Sequence, residues 1–224
     1  KNQLVSMVSK FPDSDGNNIK TWFVYDPFGR RIINNVIFSK GEGTTLELLL
    51  YDGWNVISEI NIVELTLKRD YLYGVDPSGG AGSGALLSMT DHTGDTPVSY
   101  HYLHNSHGDV TGLVDANGNL AAEYEYSPYG KMIRREDHAD TGNPFGYSGQ
   151  YTDKETGLIY YGMRFYNPDT GRFINQDPIG LSGGHNLYAF VGNNPMNSWD
   201  VRGMAGTTLY SDINHGQYSY GAYM

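Results

Sequence analysis

The chain has 224 residues, 39% of them hydrophobic, with 29 Gly, 19 Tyr, 8 Phe, no Cys and a formal net charge of −10. That length holds one large or two small domains. The missing Cys excludes disulfide staples, thiolate metal sites and a Cys nucleophile, and the acidic balance argues against nucleic acid and anionic lipid as partners, because both need basic patches.

The sequence begins at Lys1 rather than an initiator Met, which reads as a fragment or a processed product. Asp13 to Asn18, "DSDGNN", looks like the start of a calcium loop. It lacks the Glu that completes an EF-hand and reads as a hairpin turn. "FVYDPFGRRI" (Phe23 to Ile32) then sets a pattern of aromatic, Asp- or Pro-containing turn, Gly and basic residue. It recurs as "LLYDGWNVI" (Leu49 to Ile57), "YLYGVDPSGG" (Tyr71 to Gly80), "YHYLHNSHGDVTGLVDANGNL" (Tyr100 to Leu120), "EYEYSPYGKMI" (Glu123 to Ile133) and "RFYNPDTGRFI" (Arg164 to Ile174). Each unit reads as a β-hairpin. Glu123, Tyr124, Glu125 and Tyr126 alternate polar and aromatic, as a half-buried strand does, and Ser127-Pro128-Tyr129-Gly130 supplies a turn. Asn117-Gly118 is the strongest short hairpin signal. Aromatic residues favour strands, so the chain reads as all-β, built of irregular hairpin repeats with little helix. The repeat tyrosines Tyr25, Tyr51, Tyr126 and Tyr166 are expected to pack between neighbouring hairpins.

The most apolar run, Leu46 to Tyr51, contains Glu47, and no stretch approaches the ~20 apolar residues of a membrane-spanning helix, so no membrane insertion by this segment is expected. Asp76 to Met89 is expected to be a flexible glycine loop; its "GGAGSG" (Gly79 to Gly84) lacks the Gly-Lys-Ser/Thr of a phosphate loop. His101, His104 and His107 would share a helix face, but the local alternation is strand-like, and a strand puts His101 and His104 on opposite faces. They read as surface or core-edge residues. "DANGN" (Asp115 to Asn119) reads as a turn like "DSDGNN". No cofactor and no metal site is expected.

Near the end stand two acidic turns, Asp177-Pro178-Ile179-Gly180 and Asp200-Val201-Arg202-Gly203. One such motif alone is simply a good turn. Two Asp side chains sharing a pocket cannot both ionise easily, so one stays protonated near neutral pH while the other activates water. Nothing in the spacing by itself brings these two turns together.

The hairpins resemble YD repeats, and "GLIYYGMRFYNPDTGRFINQDPIGLSGGHNLYAFVGNNP" (Gly157 to Pro195) resembles the end of the Rhs core. The likeness covers most of residues 20–204 and is strongest from Phe145 to Met204. The family includes bacterial Rhs toxins, the C component of Tc toxins and the YD shell of teneurins. The resemblance implies a sheet that spirals into a hollow shell, with a C-terminal plug acting as an aspartic autoprotease on a variable cargo. It places the catalytic aspartates at Asp177 and Asp200, the associated basic residue at Arg164, and the cut between Met204 and Ala205. Val201 stands where the second motif usually has Pro, Met204 where Leu is commoner, and 19 residues separate the two motifs where 18 is common.

The implied organisation is a shell segment over 1–144, a plug and autoprotease segment over 145–204, and the start of a cargo, or an edge-pairing tail, over 205–224. A tail of this length is too short to fold alone. Expected partners are the rest of its own shell and the C-terminal cargo, with other copies of the chain or secretion-system components as further candidates, in a secreted or cell-surface bacterial setting. A second reading is a non-catalytic structural or adhesive module, displaying Tyr, Trp and Asn for carbohydrate or protein contact or stacking into a fibre.

Overall fold

The computed structural model describes residues 3–8, 19–38, 44–75, 85–204 and 206–208. The readings at 13–18, at 79–84, at Ala205 and at 209–224 lie outside the described residues. Eleven strands form one antiparallel meander in chain order. They are β1 (Ser6–Val8), β2 (Ile19–Tyr25), β3 (Arg31–Phe38), β4 (Thr44–Asp52), β5 (Asn55–Asn61) and β6 (Thr66–Tyr73). The series continues with β7 (Leu86–Asp91), β8 (Val98–His104), β9 (Val110–Asp115), β10 (Leu120–Tyr126) and β11 (Met132–Asp137). A four-stranded sheet follows, of β12 (Tyr151–Thr152), β13 (Ile159–Tyr160), β14 (Phe165–Asn167) and β15 (Arg172–Phe173). A final hairpin pairs β16 (Ser198–Asp200) with β17 (Gly206–Thr208). The described residues contain three short 3-10 turns and no α-helix, so the fold is all-β and the main sheet stays open.

One turn device builds four of the hairpins. At Asp26, Asn105, Asp115 and Ser127, a side-chain oxygen accepts the backbone N–H four residues on, at 2.8–3.0 Å. The glycine three residues on (Gly29, Gly108, Gly118, Gly130) has φ of 80–98° and donates its N–H back to the first carbonyl. Short Asx and Ser side chains mimic a backbone turn, and Gly supplies the left-handed residue at no steric cost. Asn117 is not among the positive-φ residues, so its hairpin is a turn closed by a left-handed Gly rather than the type I′ turn that Asn-Gly favours. A register shift falls beside three of these turns, next to Tyr25, His104 and Tyr126, and at the matching strand ends next to Tyr51 and Tyr73. Each is preceded two residues earlier by a buried side chain (Phe23, Leu49, Tyr71, Tyr102, Tyr124), so one face of the sheet is buried along its length.

That face is covered by residues 143–173 of the same chain. Phe145 stands edge-on to Tyr71 at 4.9 Å and to Tyr151 at 5.5 Å, and Phe23 packs on Phe165 at 5.1 Å. Tyr25 and Tyr51 bridge adjacent hairpins through their hydroxyls, which donate to the carbonyls of Leu4 and Arg31. Tyr166 departs from the expected place. It lies fully buried in a second aromatic cluster with Tyr161, Phe173 and Phe190, because its strand belongs to the small sheet. Leu86–Met89, expected in a flexible loop, instead opens β7, with Leu86 and Met89 buried as core residues. His101 and His104 are exposed and His107 is half-buried against Tyr147.

The covering segment is latched at the β10–β11 turn. Tyr147 donates its hydroxyl to the Pro128 carbonyl at 2.8 Å, and a Cβ at Gly130 would lie 2.5 Å from the Tyr147 ring. Gly130→Ala therefore meets both a left-handed backbone and an occupied space. A loss of about 2–4 kcal/mol is expected. Urea unfolding checks it; a loss below about 1 kcal/mol would mean that Tyr147 moves aside freely.

Candidate functional site

Arg164 closes a tight turn between β13 and β14, in which Tyr161 donates its N–H to the Arg164 carbonyl at 2.9 Å. The side chain is 2% exposed and lies over the Phe173 ring, 3.6 Å from its centroid. Its Nη2 is 3.0 Å from Asp177 Oδ2 and 3.5 Å from Asp200 Oδ2. The two turns that the sequence left separate thus meet on one guanidinium. The side chains of Asp177 and Asp200 are 6% and 3% exposed.

Both acidic turns resemble the hairpin device, turned inward. Asp200 Oδ1 accepts the N–H groups of Arg202, Gly203 and Met204 at 3.1, 2.7 and 3.1 Å, and Gly203 has φ 70°. Asp177 Oδ1 accepts the Ile179 N–H at 3.0 Å, and Gly180 donates to the Asp177 carbonyl at 3.0 Å. Turn formation thus engages one oxygen of each carboxyl and leaves Oδ2 of each for Arg164. Val201, in place of Pro, does not prevent the second turn from closing; its carbonyl accepts from Gln150 Nε2 at 3.3 Å.

Backbone carbonyls complete the constellation. Leu187 accepts both the Asp177 N–H at 2.9 Å and Arg164 Nη1 at 3.1 Å. Arg164 Nε donates to the Gly203 carbonyl, and Met163 N–H donates to the Arg202 carbonyl at 3.1 Å. Met204 is therefore held by its own N–H on Asp200 and by Arg164 through the preceding peptide. Asp200 pairs with Gly206 across the β16–β17 hairpin, so Met204 lies in that hairpin's loop. Ala205 lies outside the described residues.

Electrostatically the site holds one cation against two carboxyls. Burial pushes the Asp200 carboxyl above its usual range, against the pull of three backbone N–H groups and Arg164. Burial also lowers the Arg164 guanidinium from its usual value, opposed by both carboxylates. A cavity of about 230 Å³ opens beside the pair, with Arg164, Gly183, Ala189, Asp200 and Met204 among its walls.

Sequence reasoning found the three side chains and missed their fixings: the Leu187 and Gly203 carbonyls, the Phe173 ring and Gly183. The Gly183-Gly184 pair was the available signal, since paired glycines often mark close backbone approach. Elsewhere, Glu123, Glu136 and His138 bring potential ligand atoms within 4.8 Å of one another. Arg134 already neutralises this exposed group, 3.6 Å from Glu123 and 3.1 Å from Glu136.

A family model described as Teneurin YD-shell matches residues 15–196. The chain belongs to this YD-shell family. Double-stranded DNA deaminase toxin A of Burkholderia cenocepacia (strain H111) is 33% identical over 204 residues, covering 84% of this chain and 14% of that protein. The tRNA3(Ser)-specific nuclease WapA of Bacillus spizizenii is 34% identical over 188 residues, covering 81% of this chain and 7% of that protein. The chain thus spans a small part of these relatives. The crystal structure of TcdB2-TccC3 superposes with a TM-score of 0.68 at 25% identity, covering 90% of this chain and 10% of that one. The open antiparallel sheet and its covering segment belong to this Rhs and Tc-toxin type of shell. No helix among the described residues is long and apolar enough to cross a membrane.

Proposed function

We propose that this chain is part of an encapsulating shell that cuts itself once, after Met204, by an intramolecular aspartic mechanism, and holds the released C-terminal cargo. Residues 1–144 would form shell wall, 145–204 the plug that carries the site, and 205–224 the start of the cargo. The whole would act in a secreted or cell-surface bacterial setting. The observation that carries the reading is the convergence of Asp177 and Asp200 on Arg164, with the Met204 N–H donated to Asp200. Two relatives named for different activities, a deaminase and a nuclease, share this region, which supports a container common to different cargoes.

In the reaction a water oxygen attacks the Met204 carbonyl carbon. The Asp177 carboxylate takes the water proton, and Asp200, protonated on Oδ2, gives its proton to the carbonyl oxygen. The resulting gem-diol collapses as the C–N bond breaks. Asp177 then passes its proton to the Ala205 nitrogen, and a diol hydroxyl returns one to Asp200. Met204 ends as a carboxylic acid and Ala205 as an amine. Holding the peptide in place supplies effective molarity worth roughly 7–11 kcal/mol. Pairing of Gly206–Thr208 with β16 favours retention of the cut end.

Expressed with its native downstream sequence, the wild-type chain is expected to separate into two pieces on a denaturing gel, the larger with a mass ending at Met204. Asp177→Asn and Asp200→Asn are expected to slow the cut by about 10²–10⁴-fold while the circular dichroism spectrum stays β-type. Cleavage should also slow as pH rises through the raised Asp200 range, where the proton donor is lost. An uncut wild type, or both variants cut at the wild-type bond, overturns the reading.

A further inference from the structure

We infer that Gly183 is a positioning residue of this site, whose missing side chain lets the Asp177 carboxyl and the Met204 carbonyl close on its backbone beside the cavity that admits the attacking water. The inference rests on the autoproteolytic reading and adds a residue and a solvent route to it. Gly183 ends the 3-10 turn Gly180–Gly183 and is exposed to solvent on one side. On the other, a single point, where a Cβ at Gly183 would sit, lies 2.6 Å from Asp177 Oδ2 and 3.2 Å from the Met204 carbonyl oxygen. The backbone at Gly183 thus abuts both a carboxyl oxygen and the carbonyl to be attacked. Asp177 and Arg164 are nearly closed to solvent, whereas Gly183 joins the surface to the cavity of about 230 Å³ that Asp200 and Met204 also line.

The φ of Gly183 is outside the left-handed region, so its backbone accepts an L residue without conformational strain. What forbids a side chain is the space. A methyl group would displace the Asp177 carboxyl from Arg164, or the Met204 carbonyl from its place. A misplacement of about 1 Å at a reacting centre costs about 100-fold in rate. Gly184, the next residue, has φ 126° and meets nothing within 4 Å, so its glycine answers a backbone need instead.

The test measures tail release from the full chain with its native downstream sequence, over a range of pH, for wild type, Gly183→Ala, the exposed neighbour Ser182→Ala, Asp177→Asn and Asp200→Asn. Gly183→Ala is expected to cut about 100-fold more slowly with an unchanged melting midpoint. Its residual activity should show a displaced pH profile, because the Asp177 carboxyl has moved relative to Arg164; a purely structural role would leave the profile in place. Ser182→Ala should cut as wild type does. Should Gly183→Ala lose its native melting transition, Ala189→Leu fills the same cavity from another wall and is expected to slow the cut in the same way. If both Asn variants are inactive while Gly183→Ala, or in its stead Ala189→Leu, cuts at the wild-type rate, the inference is overturned and the aspartic reading stands. If wild type stays whole, or the Asn variants are cut, the aspartic reading fails and this inference falls with it.

Discussion

Asp153→Ala is expected to destabilise the chain by about 3–5 kcal/mol, the cost of leaving a buried charge without its partner. Arg31 of β3 is completely buried, and its Nη1 donates to Asp153 Oδ1 from the loop after β12, 122 residues along the chain. The rings of Phe23, Tyr151, Tyr160 and Phe165 surround the guanidinium, with centroids 4.9–5.7 Å away. Those rings contribute cation–π attraction but exclude water. Arg31 Nε and Nη2 and Asp153 Oδ2 have no hydrogen-bond partner among the described residues, so the pair is less than fully satisfied even when intact. Burial raises the Asp153 carboxyl above its usual range, with Arg31 opposing. The double substitution Arg31→Met with Asp153→Ala is therefore expected to recover most of the loss, since a buried pair often trades evenly for apolar side chains of similar volume. Urea unfolding of the single and double variants measures both quantities. A single-variant loss below about 1 kcal/mol would mean that the sheet and its cover separate locally and let water reach Arg31.

Arg164→Met should abolish tail release and destabilise the plug together. The substitution removes the cation between Asp177 and Asp200 and the donors to the Leu187 and Gly203 carbonyls, while the thioether chain still fits over Phe173. A loss of about 3–5 kcal/mol at neutral pH follows from two buried carboxyls left without a counter-charge. Its pH dependence carries a sign. The Asp200 carboxyl is raised in the folded state, so between the unfolded and folded values the folded chain binds more protons, and stability rises as pH falls through that window. Without Arg164 the window widens upward. The deficit of Arg164→Met relative to wild type should therefore shrink as pH is lowered from neutral toward about 4, where the unfolded carboxyl also protonates. Melting midpoints of the two proteins across that range test it. A deficit independent of pH would mean that Arg164 acts by packing and by its bonds to Leu187 and Gly203, not by its charge on the pair.

The sequence by itself determined what is local. Asp26, Asn105, Asp115 and Ser127 each close a turn with a residue four positions on, so the device is written in five consecutive residues, and the alternation around Tyr124 shows which strand face is buried. The same grammar at Asp177 and Asp200 made both turns readable, and the family resemblance supplied Arg164 as their companion. Only the tertiary structure decided that these three side chains meet. Their meeting depends on Leu187 accepting from both Asp177 and Arg164, and on the Arg164 turn docking against Arg202. Backbone carbonyls carry no residue identity, so no sequence pattern announces them. The Arg31–Asp153 pair was hidden for a second reason: a lone Arg after a turn reads as a solvated charge until a segment 122 residues away covers it. Tyr166 and the opening of β7 were misplaced for the same reason, since burial in one layer or another is set by which segment packs on top, and that choice is a property of the whole chain.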